Sequence, residues 1–539
     1  MTKQDNKFFW IIASFVIFLI ILPYSIAFGI QLFSSYHYTG VNLMAGSDKT
    51  VYLSYMEQAR QGKWLFKNLY TTEPQTAKLF SPLWLILGKL AYLTNLPNTL
   101  IFHFFRIIFA FCFLFLIYNF LKNYFFNDLK KNIIFTLLLI SSGIGIWRLL
   151  GLILSNNFDT NEISFFLESG TDIWIAEANT FLTLLHSPLF ILSQLIILGI
   201  FWLFLKEINN FSFKKSLIFF FLTLFIGIFH TYDLIIIDAV LGVFLVIYYL
   251  FKKKIYWRPL LNYLVIILAS TLSLLYFYLI VEKEFALKGW INQNFTLAPP
   301  FFDFIIGYGF IFLFFLIGLI PVLRQRKNIY FLFILIWAVV QITLLYAPVT
   351  FQTKLSNGLH LPLCIIAGLG FFELLEQVLQ YFKKNSIFII EIIVFFLIAT
   401  NIFILMIEIS NNISKTLPFY LNQYQYQAAL WLKNNMKEDE AVITADKDLG
   451  NILPSITGKL VYLGHGHQTI NWVQKLVYLH WLYKNNRDDI NKKNWLTKDK
   501  INYIFFEIKE YEPGDYQPGE KSYLENVYQN QEVIIFKVK

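Results

Sequence analysis

Apolar runs of membrane-spanning length recur through the first 408 residues. They lie near 8–33, 99–121, 133–153, 180–205, 216–230, 233–251, 260–281, 302–323, 330–349, 361–382 and 387–408. A helix needs about 20 such residues to cross a hydrocarbon core. A further run, 81–95, is short and carries Lys89, and it reads as a helix lying at the interface. With that choice the basic clusters share one face: Lys3 and Lys7, Lys122/Lys130/Lys131, Lys206/Lys214/Lys215, Lys252/Lys253/Lys254/Arg258, Arg324/Arg326/Lys327 and Lys383/Lys384. Basic loops mark the cytoplasmic side. The pattern predicts a polytopic α-helical membrane protein of about eleven spans, N-terminus inside and C-terminus outside.

From about residue 409 charged residues become frequent and apolar runs shorten. Tyr424 to Asn434 and Trp472 to Tyr483 read as helices. Ala441 to Thr444, Leu460 to Leu463, Ile501 to Ile508 and Val533 to Val538 read as strands. The expected division is a membrane domain over 1–408 and a small extracytoplasmic α/β domain over 409–539. The first outer loop, 34–98, belongs to the membrane domain in this division.

Composition agrees with the pattern. The chain is 57% hydrophobic and 15% charged, with mean hydropathy +0.55. A soluble chain would carry about 25% charged residues. The net charge of +9 could suggest nucleic acid, but the cations sit between apolar runs as topology demands, so no nucleic-acid partner is expected. Cys112 and Cys364 both fall inside apolar runs, which argues against a disulfide framework or a cysteine metal site. The first run is too long for a signal-peptide core and reads as an uncleaved span.

One stretch stands out as polar among apolar segments: Gly46-Ser47-Asp48-Lys49-Thr50 through Glu57 to Gly62. Apolar residues recur at Val51, Tyr52, Tyr55, Met56 and Ala59, which is helical spacing with one apolar face. Such a helix would lie in the interface plane and present Asp48 and Glu57 to an outer cavity. A carboxylate there could take a proton from a hydroxyl; the competing reading of Asp48 is a helix cap. Ionisable residues in or beside spans are functional candidates by default. Arg106 and Arg148 suit a phosphate, or snorkel or pair with a carboxylate. Lys354 and Lys78 read either as phosphate contacts or as headgroup anchors. His186 opens a span before Ser187-Pro188, and His230-Thr231-Tyr232-Asp233 forms a tight outer turn. In the tail, Gly464-His465-Gly466-His467 has ligand-compatible spacing but no clear third ligand, so no metal residue is assigned.

The layout resembles the GT-C superfamily of membrane glycosyltransferases, of the protein mannosyltransferase and lipid A aminoarabinose transferase type. The resemblance rests on one span followed by a long loop with an early aspartate, in Gly46-Ser47-Asp48-Lys49-Thr50-Val51-Tyr52-Leu53. A helix ending in Gly62 and a Pro-containing helix from Ser81-Pro82-Leu83-Trp84 follow, with many spans and an α/β tail beyond them. More narrowly, it is similar to a little-described prokaryotic group matched by His230-Thr231-Tyr232-Asp233, Gly358-Leu359-His360-Leu361-Pro362, Gly450-Asn451-Ile452-Leu453-Pro454 and Gly464-His465. The resemblance implies Asp48 as catalytic base. A donor in the bilayer would place its phosphate at the headgroup level, near Arg106, Arg148, Lys354 and Lys78, and Glu57, His186, His230, Tyr232, Asp233 and His360 are the candidates for acceptor-binding or supporting places. The Lys-Pro-Pro phosphate contact of the lipid A-modifying relatives is absent. Ser47-Asp48 supplies one carboxylate where some relatives have two, and a divalent metal stays open as a cofactor.

The expected function is transfer of a sugar from a polyprenyl-phosphate donor to a glycan, lipid or protein acceptor on the extracytoplasmic face of the cell membrane. Inversion at the sugar is expected by analogy with single-displacement glycoside chemistry. Two other classes fit the same pattern: a lipid-linked sugar flippase, which would line both membrane halves with polar residues, and an inactive GT-C shell acting as an envelope scaffold.

Overall fold

The computed structural model describes residues 3–42, 46–154, 171–382, 386–484, 486–508 and 515–539. Of the predicted features, Lys383/Lys384 and most of the loop near 154–179 lie outside them. The chain divides into two compact units. One comprises 1–23, 103–275 and 295–408; the other comprises 24–102, 276–294 and 409–539.

The first unit is helical. Every predicted run in it is a helix or a pair of helices. Among the described residues, seven helices of the whole chain are long and apolar enough to cross a membrane, or nine if each bent pair is one span. Ile329–Leu345 is a shorter apolar helix, and Phe213–Phe229 has 17 residues. The chain is an integral membrane protein.

Several runs that look continuous are broken. Asp128–Ile140 and Gly145–Leu154 meet at 47°, and Phe301–Tyr308 and Phe310–Arg324 at 89°. The run near 180–205 breaks at Ser187, between Thr180–His186 and Pro188–Lys206. A broken helix in an apolar environment needs its freed backbone groups bonded elsewhere. Here Ser142 N donates to Leu397 O (2.7 Å) and Ile144 N to Ile306 O (3.3 Å). Asn401 donates to Ile140 O (2.7 Å), Thr400 to Gly143 O (3.1 Å), and Gly145 N to the Asp172 carboxylate (2.9 Å). The two bends meet at glycines, because a Cβ on Gly143 would overlap Gly307 O. Farther along, Phe310–Arg324 packs backbone to backbone on His360–Phe382. A Cβ on Gly318 would overlap Ile366 O, and one on Gly370 would overlap Phe314 O. Small residues that admit close backbone approach are the usual device where lipid supplies no hydrophobic force.

The second unit combines the first loop with the tail. Strand β1 (His37–Tyr38) pairs antiparallel with β2 (Tyr420–Leu421). The tail then forms a five-stranded sheet from β3 (Ala441–Thr444), β4 (Leu460–Val461), β5 (Ile501–Glu507), β6 (Leu524–Gln529) and β7 (Val533–Val538), in the order β4-β3-β5-β7-β6. The β3 strand is parallel to β4 and β5, and β7 runs antiparallel to β5 and β6. Ile443, Tyr462, Leu482, Leu496, Ile504 and Phe536 form part of its core. Sequence pattern finds β3, β4, β5 and β7 and the helices Gln423–Asn435 and Trp472–Tyr483, and it does not find β6 or the helices Lys447–Thr457 and Asp489–Lys498. The β6 strand is a largely exposed edge strand with no apolar alternation. Pro454 sits inside Lys447–Thr457, where proline ordinarily argues against a helix.

The Gly318 contact yields a direct test. Gly318→Val should force the helices apart against a backbone oxygen that no rotamer change can move, at a cost of about 1–3 kcal/mol or more. Gly199→Ala is the control, since an added Cβ there meets nothing within 4 Å. The expected outcome is a lower melting temperature in detergent for Gly318→Val only; equal melting curves would refute the close crossing.

Candidate active site around Asp48

Helix Gly46–Arg60 carries the predicted base. Its apolar positions Val51, Tyr55, Met56 and Ala59 are buried as expected, but so are Lys49, Thr50, Ser54, Glu57 and Gln58. The helix is enclosed on nearly every side, where the sequence spacing predicts a single buried stripe. Gly88, on helix Pro82–Thr94, permits the approach on one side, since a Cβ there would overlap Met56 O. Trp84 of the same helix stacks between Tyr52 (4.6 Å) and Phe102 (5.9 Å). On another side Thr50 donates to Asn451 Oδ1 at 2.9 Å, in helix Lys447–Thr457.

Asp48 lies in the first turn, where the helix dipole favours a carboxylate. Its side chain is 34% exposed, and Oδ1 stands 3.1 Å from His465 Nε2. His465 itself is buried. The tail motifs quoted from the sequence therefore converge on this helix. Gly464 packs against the backbone of Gly450 and Gly450 against that of Leu463, Asn451 meets Thr50, and His465 meets Asp48. Beside His465 the Tyr70 ring lies edge-on at 6.0 Å. Burial pushes the Tyr70 phenol well above its ordinary range, with the nearby Thr50 and Ser54 hydroxyls acting the other way.

Glu57 sits elsewhere. Nine residues at 100° each turn it to the face opposite Asp48. It is buried and bonded to Lys433 (2.7 Å), Asn98 (2.8 Å) and Gln61 (2.9 Å). Lys78 pairs with Glu284 at 3.0 Å. Burial would raise the Glu284 carboxyl, but the Thr76 and Lys78 hydrogen bonds outweigh it and hold it below the usual range.

The other candidates belong to the helical unit. Arg106 is fully buried and donates to Leu184 O (2.7 Å) and Ile20 O (3.0 Å), with Nε 3.3 Å from His103. That guanidinium braces helix backbones. Arg148 pairs with Asp303. His186 is buried against Phe190 at 5.2 Å. A polar cluster gathers four of the remaining candidates. Asp233 accepts from Ser193 and from Asn357 (2.8 Å), and lies 2.8 Å from His230 Nδ1. Gln194 links Asn357 (3.0 Å) to the Glu177 carbonyl, and Glu177 holds Lys354 at 2.7 Å. Tyr232 packs on Phe351 at 4.8 Å. His360 instead meets Thr180 (2.9 Å) and Cys364 (3.2 Å).

Sequence reasoning misses Lys49, Glu177, Ser193, Gln194, Asn357 and Asp172. Lys49, next to Asp48, is fully buried on Tyr24 Oη (3.1 Å) and Asn42. A buried lysine inside a polar stretch gives no signal along the chain. Ser193, Gln194 and Asn357 are neutral, so a search for charge in spans passes over them.

A divalent metal needs three or more side-chain donors in one place. Among the described residues no group of three His, Cys, Asp or Glu is arranged to hold one. Asp48 and His465 supply two donors, and Nδ1 of His465 is already taken by backbone N–H groups of His467 and Gln468. The residues at Asp48 do not by themselves fit the metal.

Removing Glu57 should test the clamp on the Asp48 helix. Glu57→Ala removes the partner of the partly exposed Lys433 and of the buried Asn98, at a cost of about 1–3 kcal/mol. Glu57→Gln keeps partners for Asn98 and Gln61 and should lose less. Thermal unfolding in detergent reads the difference, and identical curves for the two variants would remove Glu57 from that role.

No family model matches the chain, and no curated protein sequence matches it either. Solved structures do. The Archaeoglobus fulgidus oligosaccharyltransferase in its apo form matches with TM-score 0.56 at 11% identity, covering 94% of this chain and 70% of that one. The same protein tethered to an acceptor peptide containing the NVT sequon matches with TM-score 0.55 at 13% identity, over the same 94% and 70%. At such identity the likeness is one of fold. That protein is a membrane glycosyltransferase of the GT-C superfamily, and the fold of this chain is the GT-C fold.

Proposed function

We propose that this protein transfers a sugar from a polyprenyl-phosphate donor to an acceptor hydroxyl or amide, with Asp48 as the base. The observation that carries the reading is a partly exposed carboxylate in the first turn of an otherwise enclosed helix, held by a buried histidine, in a GT-C fold. Asp48 takes the acceptor proton as the nucleophile attacks the anomeric carbon. The bond from that carbon to the phosphate oxygen breaks, and polyprenyl phosphate leaves. A single displacement inverts the sugar.

Lys78, on the same unit as Asp48, is the cation proposed to receive the leaving phosphate. It is partly exposed and rests on Glu284, which a phosphate must displace. Arg148 and Lys354 of the helical unit are proposed as donor-lipid contacts in their own right. Each is partly exposed and carboxylate-bound. His230, Tyr232, Asp233 and the buried His186, His360 and Arg106 fit supporting places. The eleven-span, N-in and C-out topology, with an extracytoplasmic domain over 409–539, is part of the same proposal.

Turnover is the test. The full-length protein is incubated with polyprenyl-phosphate-linked mannose, glucose and aminoarabinose and a membrane extract as acceptor source, and free polyprenyl phosphate is followed. Asp48→Asn should lower release by about 100-fold or more, the usual reach of a general base, with donor affinity unchanged. Near-normal release from the Asn variant would remove Asp48 as base.

A further inference from the structure

The Gly464-His465-Gly466-His467 motif is a histidine held in one protonation pattern by its own loop. His465 Nδ1 accepts the backbone N–H of His467 and of Gln468, both at 3.1 Å. A nitrogen that accepts two N–H groups presents its lone pair, so the ring proton sits on Nε2. That Nε2–H points to Asp48 Oδ1 at 3.1 Å. Resting on the reading of Asp48 as base, we propose that His465 is a positioning residue that holds the Asp48 carboxylate in its working orientation through this Nε2–H.

The loop is built to keep the ring still. Gly464 N donates to Thr469 Oγ1 (3.1 Å), and Thr469 N donates back to His465 O (2.9 Å). Asn68 of the first loop holds Gln468 O at 2.7 Å. Gln293 holds His467 O and Thr469 O, each at 2.7 Å. Three separate stretches of the unit thus fix one imidazole. Gly464 is required for the turn to sit there, since a Cβ would lie 2.7 Å from Gly450 O. Asp48, by contrast, sits in the first turn of its helix with its side chain a third exposed. A donor on a rigid loop restricts the rotamers of a carboxylate on that turn, and catalysis is sensitive to displacements of about 1 Å in a reacting group.

Two amide side chains separate the ring's two bonds. In His465→Asn the amide oxygen falls where Nδ1 was and keeps the backbone N–H groups bonded, but the shorter side chain no longer donates to Asp48. In His465→Gln the amide nitrogen falls where Nε2 was and donates to Asp48, while the backbone bonds are lost.

The experiment has two readouts on the full-length protein. In 15N-histidine spectra, with His465→Asn assigning the resonance, His465 should be the Nε2-protonated tautomer, and its Nε2 signal should shift in Asp48→Asn. An Nδ1-protonated ring, or no shift, overturns the inference without any turnover being needed. In turnover with the same three lipid-linked sugars, His465→Asn should lower kcat roughly 10- to 100-fold at unchanged donor KM and melting temperature. His465→Gln should recover part of kcat despite a lower melting temperature. The double variant with Asp48→Asn should be no worse than Asp48→Asn alone. If kcat instead follows melting temperature across the variants, His465 is structural only. An inactive Asp48→Asn beside a fully active His465→Asn sinks the positioning role and leaves the base standing. An active Asp48→Asn sinks the base itself.

Discussion

Polar groups leave water only where partners wait for them, and helix Gly46–Arg60 takes five polar side chains into the interior of its unit. Each is met. Lys49 finds Tyr24 and Asn42, and Thr50 finds Asn451. Ser54 bonds within its own helix, Glu57 finds Lys433 and Asn98, and Gln58 bonds the backbone of Lys67. Asn451 and Lys433 belong to the tail. The enclosure of the Asp48 helix is therefore incomplete without residues after 409, and the first loop and the tail make a single packed unit. The sharp approach at Gly88 and the paired glycines Gly450 and Gly464 follow from the same need to bring backbone close around a polar helix.

The helical unit meets the same constraint differently. Its broken spans free backbone groups, and side chains from other helices answer them: Asn401, Thr400 and Asp172 at the 140–145 break. Of its buried carboxylates, Asp233 is held by an amide, a hydroxyl and His230, and Glu177 by a lysine. Burying such groups is tolerable only as a bonded network.

Much of this was legible along the chain, and the rest was not for definite reasons. Apolar helices announce themselves because a run of oil is a local property, and all eleven runs are helical. Where they bend is not local, since Gly143 and Gly307 matter to each other and lie far apart in sequence. Asp48 stands out as a carboxylate in a polar island, and His465 as part of a repeated Gly-His. That the two touch is invisible to periodicity. Burial of the polar face of the Asp48 helix was equally hidden, because amphipathic spacing reports one face and cannot foresee a second wall. The Asp233 cluster was half legible, through its charges, while its neutral members left no trace.

The pairing of Asp48 with His465 spans 417 residues, which makes it an event in time as well as a contact in space. Chains are made from the N-terminus and their parts order as they emerge, and contacts of such separation form last because so much chain must first be arranged. The helix bearing the carboxylate is synthesised early, while its lysine, histidine and asparagine partners do not yet exist. Until residues near 433, 451 and 465 arrive, the helix has only its partners from the early chain, such as Tyr24, Asn42, Lys67 and Asn98, and the wall that the tail supplies is missing. A nascent chain therefore holds the Asp48 carboxylate without its bond to His465, and that pairing forms only once the residues near 465 have been made.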